Sequence, residues 1–266
     1  MIPYKKPLRL SEQTKHLKEY KNITFNKINE KYAQEYLLTN NYINVISPFK
    51  YKYVKKDENG IPIKDSKDNH IYENKTDFSI YKKDYEDERK KYIDLFSKIS
   101  MFEKTFNSII SYNVLATYNI EDSDKFDKFV NTMLKSAIET RLYSVPEKIH
   151  MIEEISRFTS KIVKYNSPYI FFDRLTLSET ITIYRLLSYS IKWEIFKKLK
   201  SINCTIQYQS MDQFDEALSR LIKVRNCVYH GNSLTILIRY YDIKNKELRY
   251  SSDKRKYETL IRHLLH

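Results

Sequence analysis

Apolar positions in this chain recur mostly at spacings of three and four, the period of a helix that buries one face. The strongest run covers about Lys83 to Leu115. There Tyr92, Leu95, Phe96, Ile99, Phe102, Phe106, Ile109 and Ile110 share one side, and the charged opening turn Asp84 to Lys91 solvates the other. One long core helix is predicted. Shorter runs predict a helix ending near Lys21 with Ser11 as its N-cap, and a second over Asn29 to Asn40. Phe126, Phe129, Val130, Met133, Leu134 and Ile138 mark another, and Ile149, Ile152, Ile155, Phe158, Ile162 and Val163 one more. Ser144-Val145-Pro146-Glu147 opens that last helix as a capping box with proline in its first turn. Thr176-Leu177-Ser178-Glu179 repeats the device before a single helix through about Lys200, which carries Ile183, Leu186, Leu187, Ile191, Ile195, Phe196 and Leu199. A further amphipathic helix runs from about Met211 to His230.

Two stretches change period. Tyr51 to Tyr72 breaks into short alternating segments around Asn59-Gly60, rich in Lys and Asp, and reads as a protruding hairpin or partly mobile loop. After Gly231, Leu234 to Tyr241 and Leu248 to Tyr250 flank a polar turn and read as a hairpin, followed by a last helix from about Ser252. The expected class is mainly all-α. The chain divides into an N-terminal helical region over 1–80 with an inserted hairpin, a helical bundle over 81–232, and a C-terminal hairpin plus helix over 233–266, the first boundary falling near Lys75 to Asp84.

Composition sharpens this picture. Two glycines and six prolines in 266 residues argue for long helices and against sandwiches, barrels and Gly-rich nucleotide loops. A formal net charge of +13 favours a polyanionic partner, nucleic acid before an anionic membrane, and the 24 tyrosines can stack on bases or fill the edge of a core. Cys204 and Cys227 have no paired spacing and no His cluster, which suggests reduced thiols in a cytoplasm. The N-terminus lacks a signal-peptide run, no stretch reaches the roughly 20 apolar residues of a membrane span, and no cofactor or metal motif is present. A soluble, cytoplasmic protein is expected.

Candidate chemistry gathers in Arg225-Asn226-Cys227-Val228-Tyr229-His230, closed by Gly231. Phe214, Leu218, Leu221, Ile222 and Val228 form one helical face, and Arg225 falls on it four residues beyond Leu221. A permanent charge on an apolar stripe must find a carboxylate, a phosphate or a wet interface. Glu103, on the stripe of the long helix four after Ile99, is an inward carboxylate and a natural partner. A structural ion pair and a functional site are both open readings of this pattern. An imidazole at His230 can take a proton from a ribose 2′-hydroxyl, Arg225 can offer paired donors to phosphate oxygens, and Asn226 can orient either group. Five residues place Arg225 and His230 about 140° apart on an ideal helix, so the helix end must help, and Gly231 would let the backbone turn there. Lys5, Lys6, Arg220 and Lys223 are candidates for RNA contact.

With these residues laid out, the chain resembles the Abi family of bacterial phage-defence proteins (abortive infection, AbiD/AbiF type), which carries a HEPN ribonuclease domain. The likeness lies in Lys6-Pro7-Leu8-Arg9-Leu10-Ser11-Glu12-Gln13 with Leu17-Lys18, in Asn41-Tyr42-Ile43-Asn44-Val45-Ile46-Ser47-Pro48-Phe49-Lys50, in Tyr85-Glu86-Asp87-Glu88-Arg89 through Ile99 and Glu103, and in Arg225-Asn226 to His230. The family often has a second histidine beside the motif histidine, where this chain has Tyr229-His230-Gly231. The resemblance implies a HEPN-type bundle, metal-independent RNA cleavage by paired domains and a bound noncoding RNA. One motif supplies one imidazole, whereas cleavage needs both a base and an acid, so a homodimer through the motif helix is expected. The alternative expectation is a HEPN-fold protein that holds a noncoding RNA or a partner without cutting. Nothing in the chain shows a helix-turn-helix glycine turn or zinc spacing for DNA.

Overall fold

The computed structural model describes residues 8–66, 69–72, 74–165, 167–202, 210–234, 239–242, 247–250 and 254–265. The protein is mainly all-α, as its glycine-poor, helix-periodic sequence requires. Its contacts separate it into two units, each discontinuous in sequence: residues 1–93 with 227–254, and residues 94–226 with 255–266.

The first unit begins with α1 (Leu10–Lys21) and α2 (Glu30–Asn40), which pack on each other. Ser11 is not the cap of α1. That place is taken by Arg9, whose backbone N–H is held at 2.7 Å by Glu12, because the glutamate stands three residues on and reaches back as in a capping box. The cap of α2 is Asn29, whose Oδ1 accepts the Tyr32 N–H at 2.9 Å. A short α3 (Tyr42–Val45) and a 3₁₀ turn (Lys50–Lys52) follow. Two-residue strands β1 (Ile23–Thr24) and β2 (Thr76–Asp77) pair in parallel, a contact that their brevity hid from the periodicity. Asp77 fixes this junction: its carboxylate accepts the backbone N–H of Asn26 and Lys27 from one side and of Ser79 from the other. Burial raises its pKa, but these bonds outweigh that and hold it down to about 2. Leu17, Ile23, Leu37, Val45, Phe49, Phe78 and Tyr81 fill the core of this unit.

The insertion after Tyr51 is not a two-stranded hairpin. Three short segments each bridge the other two, through Val54 with Tyr72, Lys56 with Pro62, and Lys64 with His70. A closed triangle of backbone bonds ties them: Lys55 N–H to the Ile71 carbonyl at 2.8 Å, Ile71 to Ile63 at 3.0 Å, and Ile63 to Lys55 at 2.8 Å. Asp57 and Asp65 make this possible by folding two tight turns over their own carboxylates, with Gly60 in the left-handed region at φ 76°.

The long predicted helix is α4 (Phe78–Tyr118), 41 residues, five residues earlier at its start than its apolar stripe suggested. The earlier start follows from Phe78 and Tyr81, which are fully buried and extend the stripe backwards. Residues 78–93 of α4 belong to the first unit and residues 94–118 to the other. Tyr92, Leu95, Ile99, Phe102, Phe106 and Ile110 are buried as expected, whereas Phe96 is about half exposed, since it stands roughly 100° round the helix from Leu95.

In the second unit α5 (Ser123–Glu139) is capped by Asp122 and packs against α6 (Val145–Ser156), α7 (Phe158–Tyr165) and α9 (Leu177–Leu186). The helix expected from Ile149 through Val163 is two helices. Arg157 N–H bonds to the Glu154 carbonyl, a tightened last turn that interrupts the ladder. The helix expected through Lys200 is likewise two, α9 and α10 (Tyr189–Ser201), parted by Leu187 and Ser188 in extended conformation. A serine that favours the start of a helix sits in the middle of that apolar run, and there the chain restarts. Between α7 and α9 lies the unpredicted α8 (Pro168–Asp173). Ile138 and Ile149, placed on core faces by period, are exposed because the buried stripe of each helix is narrower than its apolar pattern. Phe214 is the hub of an aromatic core with Phe102, Phe106, Tyr184 and Phe196. Phe171 joins Phe126, Phe158 and Phe172 in a second such cluster.

The motif helix is α11 (Met211–Tyr229). Strands β3 (Arg239–Asp242) and β4 (Glu247–Tyr250) form the expected antiparallel C-terminal hairpin, and α12 (Lys254–Leu265) ends the chain. Residues 235–238, 243–246 and Ser252, which carry parts of those expectations, lie outside the described residues.

Candidate functional site

Arg225 and Asn226 close the part of α11 that belongs to the second unit, and Cys227 begins the part that belongs to the first. The two environments are therefore built from different partners.

In the second unit the Arg225 Nε lies 3.6 Å from a carboxylate oxygen of Glu103, with about a quarter of the arginine side chain and less of the glutamate exposed. The other Glu103 oxygen accepts the backbone N–H of Leu177 at 3.0 Å. Leu177 is the first residue of α9, so Glu103 also satisfies one of the amides a helix start leaves open, where an anion is favoured. A second inward polar residue of α4 stands one turn on: buried Asn107 donates to the Phe172 carbonyl and accepts from Thr180. The inward carboxylate that the sequence offered as a partner for Arg225 is thus in contact with it. Arg220, by contrast, is buried, and its guanidinium donates to Glu216 at 2.6 Å, while Lys256 donates to the same carboxylate. Hydrogen bonds from Lys256 and Arg220 hold the Glu216 pKa below the usual carboxylate range. Asn226 and Lys223 are exposed on α11. Lys5 and Lys6 lie outside the described residues, as does Cys204.

In the first unit α11 ends by a paired-carbonyl cap. The Asn232 N–H reaches the Cys227 carbonyl at 2.9 Å and the Gly231 N–H reaches that of Val228 at 3.2 Å. Gly231 takes the left-handed conformation this needs, φ 66°, as its place after the histidine suggested. His230 is then the last residue before the turn, exposed to solvent. Residues of α4 hold the turn from outside. The Tyr92 hydroxyl donates to the Asn232 carbonyl and accepts the Leu234 N–H at 3.2 Å, and Ser233 donates to Glu88 at 3.0 Å. Burial pushes the Cys227 thiol up to about 11, with Glu88 adding to the effect, so this cysteine is a packed thiol rather than a nucleophile.

Sequence reasoning missed Arg89. Its Nη1 lies 2.6 Å from where a side chain on Gly231 would place its first carbon, and the guanidinium also stacks on the Tyr92 ring at 5.4 Å. The bare face of Gly231 thus leaves room for a second arginine next to the His230 turn. Nothing local announced it, since the two positions are far apart in the chain.

Among the described residues no cluster of His, Cys, Asp and Glu could hold a metal ion, and no helix is long and apolar enough to cross a membrane. No family model matches the chain, and neither does any curated protein or solved structure.

Proposed function

We propose that this chain is a metal-independent endoribonuclease of the HEPN class acting in phage defence, working as a homodimer and holding a noncoding RNA. His230 takes the proton of a ribose 2′-hydroxyl, the oxygen attacks the adjacent phosphorus, and the 5′ oxygen leaves with a proton from the second copy's imidazole, giving a 2′,3′-cyclic phosphate. Arg225 stabilises the charge that builds on the phosphate oxygens. The observation that carries the reading is the end of α11 itself, where a solvent-exposed His230 sits on a turn pinned by Gly231 and by Tyr92. The net charge of +13 supports a polyanionic substrate. Arg89, against Gly231, stands beside the His230 turn and is a further candidate for phosphate contact there.

The purified protein is expected to cut single-stranded RNA in the presence of chelator and to leave cyclic phosphate ends. Arg225→Ala and His230→Ala are expected to abolish cutting with the fold intact by circular dichroism. Cutting that persists in both variants overturns the assignment.

The ion pair between Arg225 and Glu103 favours a second reading, in which the arginine is structural and the fold binds RNA without cleaving it. In that case His230→Ala leaves RNA affinity unchanged, while reversal of exposed lysines, Lys223 among them, lowers it and reduces its salt dependence.

A further inference from the structure

Away from the motif, α10 of the second unit turns a face of rings and cations to solvent. Tyr189 and Trp193 stand one turn apart on it, 71% and 41% exposed, and the Trp193 ring stacks on that of buried Phe196 at 5.9 Å. Lys197 and Lys200 continue the stripe and are exposed. Counted at about 100° per residue, Tyr189, Lys197 and Lys200 all lie within about 40° of Trp193 round the axis. The helix has one acid, Glu194, and Lys197 holds it at 2.6 Å with both side chains about half exposed. Such a surface pair is weak and exchanges readily for another anion. Among the described residues Lys198 and Lys200 form no ion pair. Lys200 rests over the Phe196 ring at 5.6 Å, and Lys198 rests at 4.8 Å over the ring of Tyr112 on α4, itself 69% exposed.

Apolar residues exposed singly need no explanation, and lysines in a last turn suit the negative end of a helix. Neither accounts for two open rings in line with cations short of acids. That combination fits a strand whose bases stack on the rings while its phosphates meet the lysines. Four residues of helix advance about 6 Å, wider than the spacing of about 3.4 Å between bases along a duplex strand. The rings therefore suit an unpaired strand, whose bases can part and offer their faces. We infer that this face of α10 binds an unpaired nucleic-acid strand, with one base on Trp193, a neighbouring base on Tyr189 and phosphates toward Lys197 and Lys200. The surface needs neither Arg225 nor His230, and only the choice of RNA over DNA rests on the nuclease reading.

Trp193 is the chain's only tryptophan, so its emission reports on this face directly. Titration of the full chain with a short 2′-O-methyl oligoadenylate, which has no 2′-hydroxyl to react, is expected to quench that emission. An RNA duplex of the same length, and inorganic polyphosphate, which has the charge without the bases, are expected to leave it nearly unchanged. Trp193→Ala and Tyr189→Ala are each expected to weaken binding of the labelled oligonucleotide about tenfold by fluorescence anisotropy, and Trp193→Phe to weaken it much less. Tyr189 is exposed enough that its variant keeps the test open should Trp193→Ala fold poorly. Lys197→Gln with Lys200→Gln is expected to flatten the salt dependence of binding. Absence of quenching, equal quenching by duplex or polyphosphate, or unchanged affinity in folded Trp193→Ala or Tyr189→Ala overturns the inference. Quenching on raising the protein concentration alone assigns the face to a second copy and likewise overturns it.

Discussion

Arg225 and His230 stand in one short stretch, yet the first is held through its side chain and the second through its backbone. Arg225 lies on the apolar face of α11 and is fixed by an acid, Glu103, which also holds the first amide of α9. His230 has left the helix, and carbonyl bonds, Gly231 and the Tyr92 hydroxyl set its position while the ring faces solvent. A charge within a packed face needs a partner there, so its removal lowers stability without undoing the fold. An exposed imidazole on a pinned turn carries little of the packing, so its removal is expected to leave stability nearly unchanged.

That contrast can be broken most sharply by comparing two alanines. His230→Ala is expected to lower RNA cleavage by about 10²–10⁴-fold while stability stays within about 0.5 kcal/mol, measured by cleavage assay and urea melts. Arg225→Ala is expected to lose cleavage and also about 1–3 kcal/mol of stability, because Glu103 keeps its amide but loses its cation. Arg225→Lys should recover part of the stability and little of the activity, since lysine lacks the planar fork. If the two alanines prove equally destabilising, the contrast fails.

Smaller effects sharpen it. Gly231→Ala places a side chain at φ 66° and 2.6 Å from Arg89, and is expected to cost about 1–2 kcal/mol, chiefly in backbone strain, because the arginine end can move aside. Gly231→Asn should cost less, as asparagine tolerates this conformation. The smallest effect is acid-dependent. The folded pKa of Asp77 is lowered to about 2, so its contribution is fully present above the unfolded value near 3.9 and is lost as pH falls from about 4 to about 2. Asp77→Asn should lower stability at neutral pH by about 1 kcal/mol and flatten this part of the acid-denaturation profile, while leaving Arg225 and His230 untouched.

Features that depend on a few neighbouring residues were legible. The boxes Ser144 with Glu147 and Thr176 with Glu179 form as their spacing required, and Gly231 ends α11 where its lack of a side chain allowed. Glu103 could be read as an inward acid seeking a cation because it broke an apolar stripe. Lys192 broke one too, four residues before Phe196, and its burial on α10 could be read from the same pattern. The breaks at Arg157 and at Leu187–Ser188 were obscured, since apolar periodicity continues through both. Arg89 gave no signal, because what it touches is a glycine supplied by a distant segment.

By itself the sequence determined the helical class, the capped starts of α2, α6 and α9, and the glycine end of α11, all of which follow from local period, capping and scarcity of glycine. Only the tertiary structure decided that residues 1–93 join 227–254 and that Arg220 is consumed by Glu216. Those outcomes depend on which distant surfaces bury one another, and burial is summed over the whole fold rather than written at any one position.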